Sequence, residues 1–147
     1  MANLKTIITI VTLFATLSLF GQNEVEGIWK TIDHETGKAK SLVKITIGND
    51  GKLYGTLLKI LNNEGSEEKV CEDCPEPYNG KKITGMQIIN GLHKDGKEWV
   101  GEKKIFDPGR KSFYNVKIWV ENGKLKVRGY MGWLYSTQEW IRVSGEM

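Results

Sequence analysis

An all-β fold is what this sequence predicts: a single antiparallel up-and-down β-barrel of about eight strands, with a long cysteine-containing loop in its middle. Three observations carry the prediction. Short runs alternate apolar and polar residues with a period of two, the pattern of half-buried strands. Turns rich in Gly, Asn and Asp separate those runs at regular short spacing. Beyond residue 21, no stretch shows convincing helical periodicity.

Residues 1–21 are expected to be a signal peptide rather than part of the fold. Lys5 is the only charge before Glu24, and Ile7 to Phe20 is nearly all apolar, softened by Thr9, Thr12, Thr16 and Ser18. That run is shorter than the roughly 20 residues a membrane span needs, and its flanks are those of a secretory leader. Cleavage after Gly21 leaves Gln22 as the N-terminus, although Leu19 is a poor residue for that site and Thr16 and Ser18 offer another. The competing reading is an uncleaved membrane anchor. No cysteine precedes Cys71, which argues against a lipid-anchored N-terminus. Residues 22–147 then form one domain, with a core at about 26–143 and no transmembrane span. A domain of this size buries roughly two thirds of its unfolded surface.

The first strand lies between Trp29 and Ile32, and Asp33 to Lys38 is a turn. Val43, Ile45 and Ile47 share one face of the second strand. Asn49-Asp50-Gly51 then supplies a tight hairpin, and the return strand runs from Leu53 to Leu61. Asn62 to Lys82 lacks periodicity, and loops of that length usually serve a purpose. Ile83 to Leu92 reads as a bulged strand, with a short helical turn as the alternative. Asp95-Gly96-Lys97 turns into a strand from Trp99 to Phe106, where Gly101 marks a bulge. Asp107 to Arg110 turns again. Phe113 to Val120 alternates, and Asn122-Gly123 makes a second hairpin. Leu125, Val127, Gly129 and Met131 face one way on the next strand. Gly132 to Ser136 is expected to be a loop, and Thr137 to Val143 the last strand.

Charge excludes one class of function. The net charge is +3, with 21 basic and 18 acidic residues interspersed, unlike a clustered nucleic-acid-binding face. Lys124, Lys126 and Arg128 alternate along one strand and read as its solvated face.

The chain's ends bear on closure. In an up-and-down barrel the first and last strands are neighbours, so Trp29 near one end meets Trp140 and Arg142 near the other. Trp140 and Arg142 share one side of their strand, and a guanidinium over an indole is worth about 1 kcal/mol or more when partly desolvated. Gly27-x-Trp29 and the Arg on the last strand resemble the structural signature of lipocalin-like (calycin) barrels. That resemblance marks Trp29, Trp140 and Arg142 as barrel-closing residues.

A fuller resemblance spans about Glu26 to Arg142. It rests on Gly27-Ile28-Trp29-Lys30-Thr31-Ile32-Asp33, Gly51-Lys52-Leu53-Tyr54-Gly55, Cys71-Glu72-Asp73-Cys74-Pro75, Val116-Lys117-Ile118-Trp119, Gly123 to Tyr130, and Thr137-Gln138-Glu139-Trp140, in that order. These blocks resemble the secreted bacterial family known as the domain of unknown function 2147 family. Membership implies a small exported β-domain of lipocalin-like topology, periplasmic or extracellular, and implies no reaction.

Cys71 and Cys74 have three readings. An oxidising compartment favours a short-loop disulfide. A redox pair needs a stabilised thiolate, and Glu72 and Asp73 between the sulfurs oppose one. A metal site needs further Cys or His ligands, and His34 and His93 are the only histidines. No catalytic residue, metal site or cofactor is assigned: neither histidine stands in a nucleophile–base motif. Aromatic residues are the remaining resource. Tyr54, Trp99, Tyr114, Trp133 and Tyr135 are the candidate ligand contacts, and rings that merely fill the barrel are the alternative. The expected function is non-enzymatic binding of a small apolar or amphipathic ligand, or of an envelope component. A filled interaction module and a thiol-redox protein using Cys71 and Cys74 are the other two readings.

Overall fold

The computed structural model describes residues 24–62 and 68–144. The expected signal peptide lies outside the described residues. Eight strands make up the fold: β1 (Gly27–Ile32), β2 (Ala39–Ile47), β3 (Leu53–Ile60), β4 (Gln87–Asp95), β5 (Glu98–Asp107), β6 (Ser112–Glu121), β7 (Lys124–Met131) and β8 (Leu134–Arg142). Each pairs antiparallel with the next, and β8 returns to β1, closing the barrel. No helix joins them among the described residues.

Two strand boundaries differ from expectation. Ile83 to Met86 belong to the long loop, and β4 starts at Gln87. Met86 and Gly85 instead exchange backbone hydrogen bonds with Leu57, which ties the loop's end beside β3. The second difference is at β8, which begins at Leu134, so Leu134, Tyr135 and Ser136 are strand rather than loop. Gly132 and Trp133 alone make the turn. Gly132 has φ +60 and Trp133 is not among the residues with positive φ. A glycine at the first of two central positions is the type II′ hairpin, whose twist matches its strands. The pairing Tyr130↔Tyr135 and Met131↔Leu134 follows from that tight turn.

Alternation sorts the side chains. Trp29, Ile45, Leu53, Leu92, Ile118 and Leu125 are each at most 1% exposed and fill one half of the barrel. Trp99 and Trp140 join them at 4% and 3%. The same end carries the β2–β3, β4–β5 and β6–β7 turns and the seam. There the ladder is short: Trp29 pairs with Arg142 and Lys30 with Ile141. The Arg142 guanidinium lies 4.2 Å from the Trp29 ring centroid. It also donates to the carbonyls of Glu26 (2.8 Å) and Glu24. The Trp29 indole donates to Val25 O at 2.9 Å. Arg142 thus clasps the segment before β1 across the end of the barrel. Gly27 has φ +139, and a Cβ there would lie 2.5 Å from an Arg142 nitrogen.

Outside, the basic residues of β7 are partnered. Lys124 (2.7 Å) and Lys126 both bond Glu139. Arg128 is sandwiched between the rings of Trp119 (5.0 Å) and Tyr135 (4.5 Å), while its Nε donates to Thr137 Oγ1 at 2.7 Å. This outer face binds β6, β7 and β8 together.

Arg142→Ala is expected to cost about 2–3 kcal/mol, from one cation–π contact and charge-assisted hydrogen bonds. Gly27→Ala should cost about 1–3 kcal/mol through backbone strain and displacement of the guanidinium. Because both act on one contact, the double variant should lose less than the sum in urea unfolding.

The Glu139 carboxyl is held at about 2, below its ordinary 4.5, by hydrogen bonds from Lys124 and then Lys126. Its folded value is the lower one, so its contribution is complete above 4.5 and is lost as pH falls towards 2. The melting temperature should therefore fall more steeply between about pH 5 and 2 in the native protein than in Glu139→Gln. The difference should shrink in salt, because the pair is exposed.

Candidate functional site

Strand direction alternates, so everything absent from the clasped end gathers at the other. The β1–β2, β5–β6 and β7–β8 turns and the long loop all surround the open mouth. Within it is a cavity of about 910 Å³. Its inner wall is apolar: Val43, Leu57, Ile88, Ile105 and Val127, with Trp140 at the floor. Gly129 and Ser136, paired across β7 and β8, leave the wall thin on that side. A Cβ on Gly129 would meet nothing closer than Tyr114 Cβ at 4.0 Å.

A few polar groups reach the interior. Thr31 and Ser41 share a hydroxyl hydrogen bond of 2.7 Å and are both buried. Gln138 Oε1 accepts from the Trp140 indole at 3.1 Å, which orients the amide and leaves its NH₂ to donate to an occupant. The charged lining residues lie on loops or strand ends at the mouth: Lys40, Lys69, Arg110 and Lys111 against Asp33, Glu35, Glu72 and Asp107. Asp33 is committed to its own turn, accepting from the Glu35 (3.0 Å) and Thr36 (2.8 Å) backbones. Those bonds, led by Thr36, hold its carboxyl below the usual range. Asp107 likewise accepts from the backbone of Gly109 at 2.8 Å.

The long loop lies over this mouth and has its own internal order. Val70 and Lys82 form a β-bridge. Cys71 N donates to Lys81 O at 2.8 Å and Gly80 N to Cys71 O at 2.9 Å. Cys71 and Cys74 are bonded as a disulfide, 2% and 6% exposed, and line the cavity's rim with Val70 and Ile83. Tyr78 anchors the loop. Its ring stacks on Phe106 at 4.2 Å, its hydroxyl donates to Gln87 O at 2.7 Å, and Asn90 donates to that hydroxyl at 2.6 Å. Tyr78 was not singled out by sequence, since a lone tyrosine in an aperiodic loop carries no pattern. Gln138 was also missed, being one more polar residue on an edge-like strand.

The aromatic candidates fall in different places. Tyr114 faces the cavity, whereas Tyr135 reaches only its rim, with its ring on the outer face against Arg128. Tyr54 sits between inward Leu53 and Gly55 and so points outward, donating to Asp50 Oδ2 at 2.5 Å. Trp99 packs in the filled half, beside Ile118 of β6. Trp133, at the tip of the β7–β8 hairpin, is 88% exposed. Trp29, Trp140 and Arg142 meet at or near the seam, where Arg142 stacks on Trp29 rather than on Trp140. Among the described residues no group of His, Cys, Asp or Glu has the geometry of a metal site.

Removing the disulfide with Cys71→Ser and Cys74→Ser together should cost about 2 kcal/mol, the chain-entropy value for so short a loop. The barrel itself should stay folded by near-ultraviolet circular dichroism, because Tyr78 and the Val70–Lys82 bridge still hold the loop.

A structural comparison returns protein HP1028 from the human pathogen Helicobacter pylori, which belongs to the lipocalin family. The two are 23% identical, with a TM-score of 0.66 over 81% of this chain and 82% of that one. At that identity the likeness concerns the fold. No curated protein matches the chain. The family described as "Uncharacterized protein conserved in bacteria (DUF2147)" matches residues 27–142, the whole barrel from Gly27 to Arg142. The chain therefore belongs to the DUF2147 family, in a closed, lipocalin-like eight-stranded barrel.

Proposed function

We propose that this protein is a non-enzymatic carrier of one small apolar or amphipathic molecule, held in the open half of the barrel. The observation that carries this reading is the cavity's polarity gradient. Its inner wall is apolar with a few hydrogen-bonding groups, and its charges stand at the mouth. Its volume, about 910 Å³, lies within the roughly 300–1,000 Å³ usual for small-molecule sites. Burying an ion at the inner wall would be costly without a partner. The occupant therefore enters apolar end first, offers an acceptor such as a carbonyl or ether oxygen to Gln138, and leaves any charged group at the mouth. Tyr114 is the aromatic contact we assign to it. Export, expected from the N-terminal apolar run, sets this carriage in the cell envelope or outside it.

A fluorescent fatty-acid analogue should bind saturably and one to one, and native mass spectrometry of protein purified from its own envelope should show a bound mass. Gly129→Phe places a ring in the cavity from a position with room for it. That variant should bind at least tenfold more weakly, with a melting temperature within a few degrees of the native one. A clean apo mass together with no saturable probe binding would sink the reading.

A further inference from the structure

The exposed apolar side chains are not scattered. Among the described residues seven large ones are exposed, and six ring the open end: Leu61, Val70, Met131, Trp133, Leu134 and Tyr135. Ile141 alone lies towards the clasped end. Four of the six belong to the β7–β8 hairpin, where Trp133 is 88%, Met131 60% and Leu134 55% exposed. From Gly129 to Gln138 this hairpin carries no charge, although 27% of the whole chain is charged. Isolated exposed apolar residues need no explanation, but a group clustered at one end marks an interaction surface.

We propose that this rim docks on a lipid bilayer, with the Trp133 hairpin inserted at the interface and the cavity mouth facing the lipid. Three features select a bilayer over a protein partner. The apolar residues surround an opening instead of forming a continuous face, and a protein interface needs about 800 Å² of complementary surface on each side. Fluid acyl chains fit a ring around a hole. The tip also combines Trp133 with Tyr130 and Tyr135, the residue types whose amphipathic rings favour the headgroup level. Finally, Lys40, Lys69 and Lys111 stand around the mouth together with Glu35 and Glu72, while Asp33 and Asp107 are engaged by their own turn backbones and Arg110 lies 4.0 Å from Asp107. The three lysines are placed to meet lipid phosphates as the hairpin enters.

The geometry also gives docking a purpose. A molecule leaving the bilayer would pass from acyl chains into an apolar cavity without crossing water. Docking goes beyond the carrier reading and is separable from it at Trp133, which does not line the cavity although its neighbours Met131, Leu134 and Tyr135 reach the rim.

The test uses the full chain with vesicles of phosphatidylcholine and phosphatidylglycerol. Trp133→Ser combined with Leu134→Ser should lower vesicle partitioning at least tenfold, given the apolar area withdrawn from contact. Residues 7–20 are common to both proteins, so the difference reports the hairpin. Circular dichroism checks that the double variant is folded. Independently, brominated lipids should quench part of the native protein's tryptophan fluorescence, and Trp133→Phe should abolish most of that quenching while still binding. Equal partitioning of native and double-variant protein, or no Trp133-dependent quenching, overturns the proposal. So does a change in oligomeric state on mutation with vesicle binding intact, which would make the rim a self-association face. Gly129→Phe should lose the fatty-acid probe yet keep vesicle binding, which separates failure of the carrier reading from failure of docking.

Discussion

Arg142 over Trp29 is the contact on which the barrel depends. A sheet of eight strands closes only if its two edge strands find each other, and here the ladder between them is short. The guanidinium adds what the ladder lacks. It covers an indole face and donates to two carbonyls of the segment before β1, binding residues separated by most of the chain. Gly27 is the space this requires. Closing one end this way has a consequence at the other. With Trp29, Leu53, Leu92, Trp99 and Leu125 packed beneath the clasp, the interior left over lies at the opposite end, and any occupant must enter there.

The molecule is therefore two structures in one sheet. Near the seam it is a packed core, where large side chains meet across the axis and exclude everything else. Near the mouth several inward positions turn small or medium, among them Ser41, Val43, Val127, Gly129 and Ser136. The space that results is walled by apolar groups and held open by the sheet rather than by its contents. Rigidity is supplied from outside. The Arg128 sandwich and the Lys124–Glu139–Lys126 cluster brace β6 to β8 on their solvent face, so the hairpin carrying Trp133 projects from a stiff base.

The long loop has a similar logic. Its disulfide closes a short ring and contributes modestly to stability, but it places two sulfurs against the rim. Tyr78 does the anchoring, with its ring on Phe106 and its hydroxyl in a hydrogen-bond pair with Gln87 and Asn90. The loop is a partial roof held at one side. The apolar hairpin across the mouth is the other side of the entrance.

Period-two alternation, Asn-Gly and Asp-Gly turns, and a Trp and an Arg at opposite ends of the chain were enough to read an eight-stranded closed barrel. Those signals are local, or depend only on first and last strands being neighbours, so one sequence carries them. The connection expected from Gly132 to Ser136 is shorter than its residues suggest, because a glycine followed by a large apolar residue resembles a loop until its positive φ is known. The starts of β4 and β8 shifted for the same reason, since backbone pairing decides a strand's end and side-chain pattern only approximates it. Whether the aromatic residues filled the barrel or lined a space was decided by tertiary structure alone. Tyr54, Trp99, Tyr114, Trp133 and Tyr135 are similar as letters, yet Tyr54 points outward, Trp99 is packed in the core, Tyr114 lines the cavity, Tyr135 lies on the outer face at the rim and Trp133 stands in solvent. Which of these applies depends on register, bulges and the clasp at the far end. Those are non-local constraints, and no window of sequence contains them.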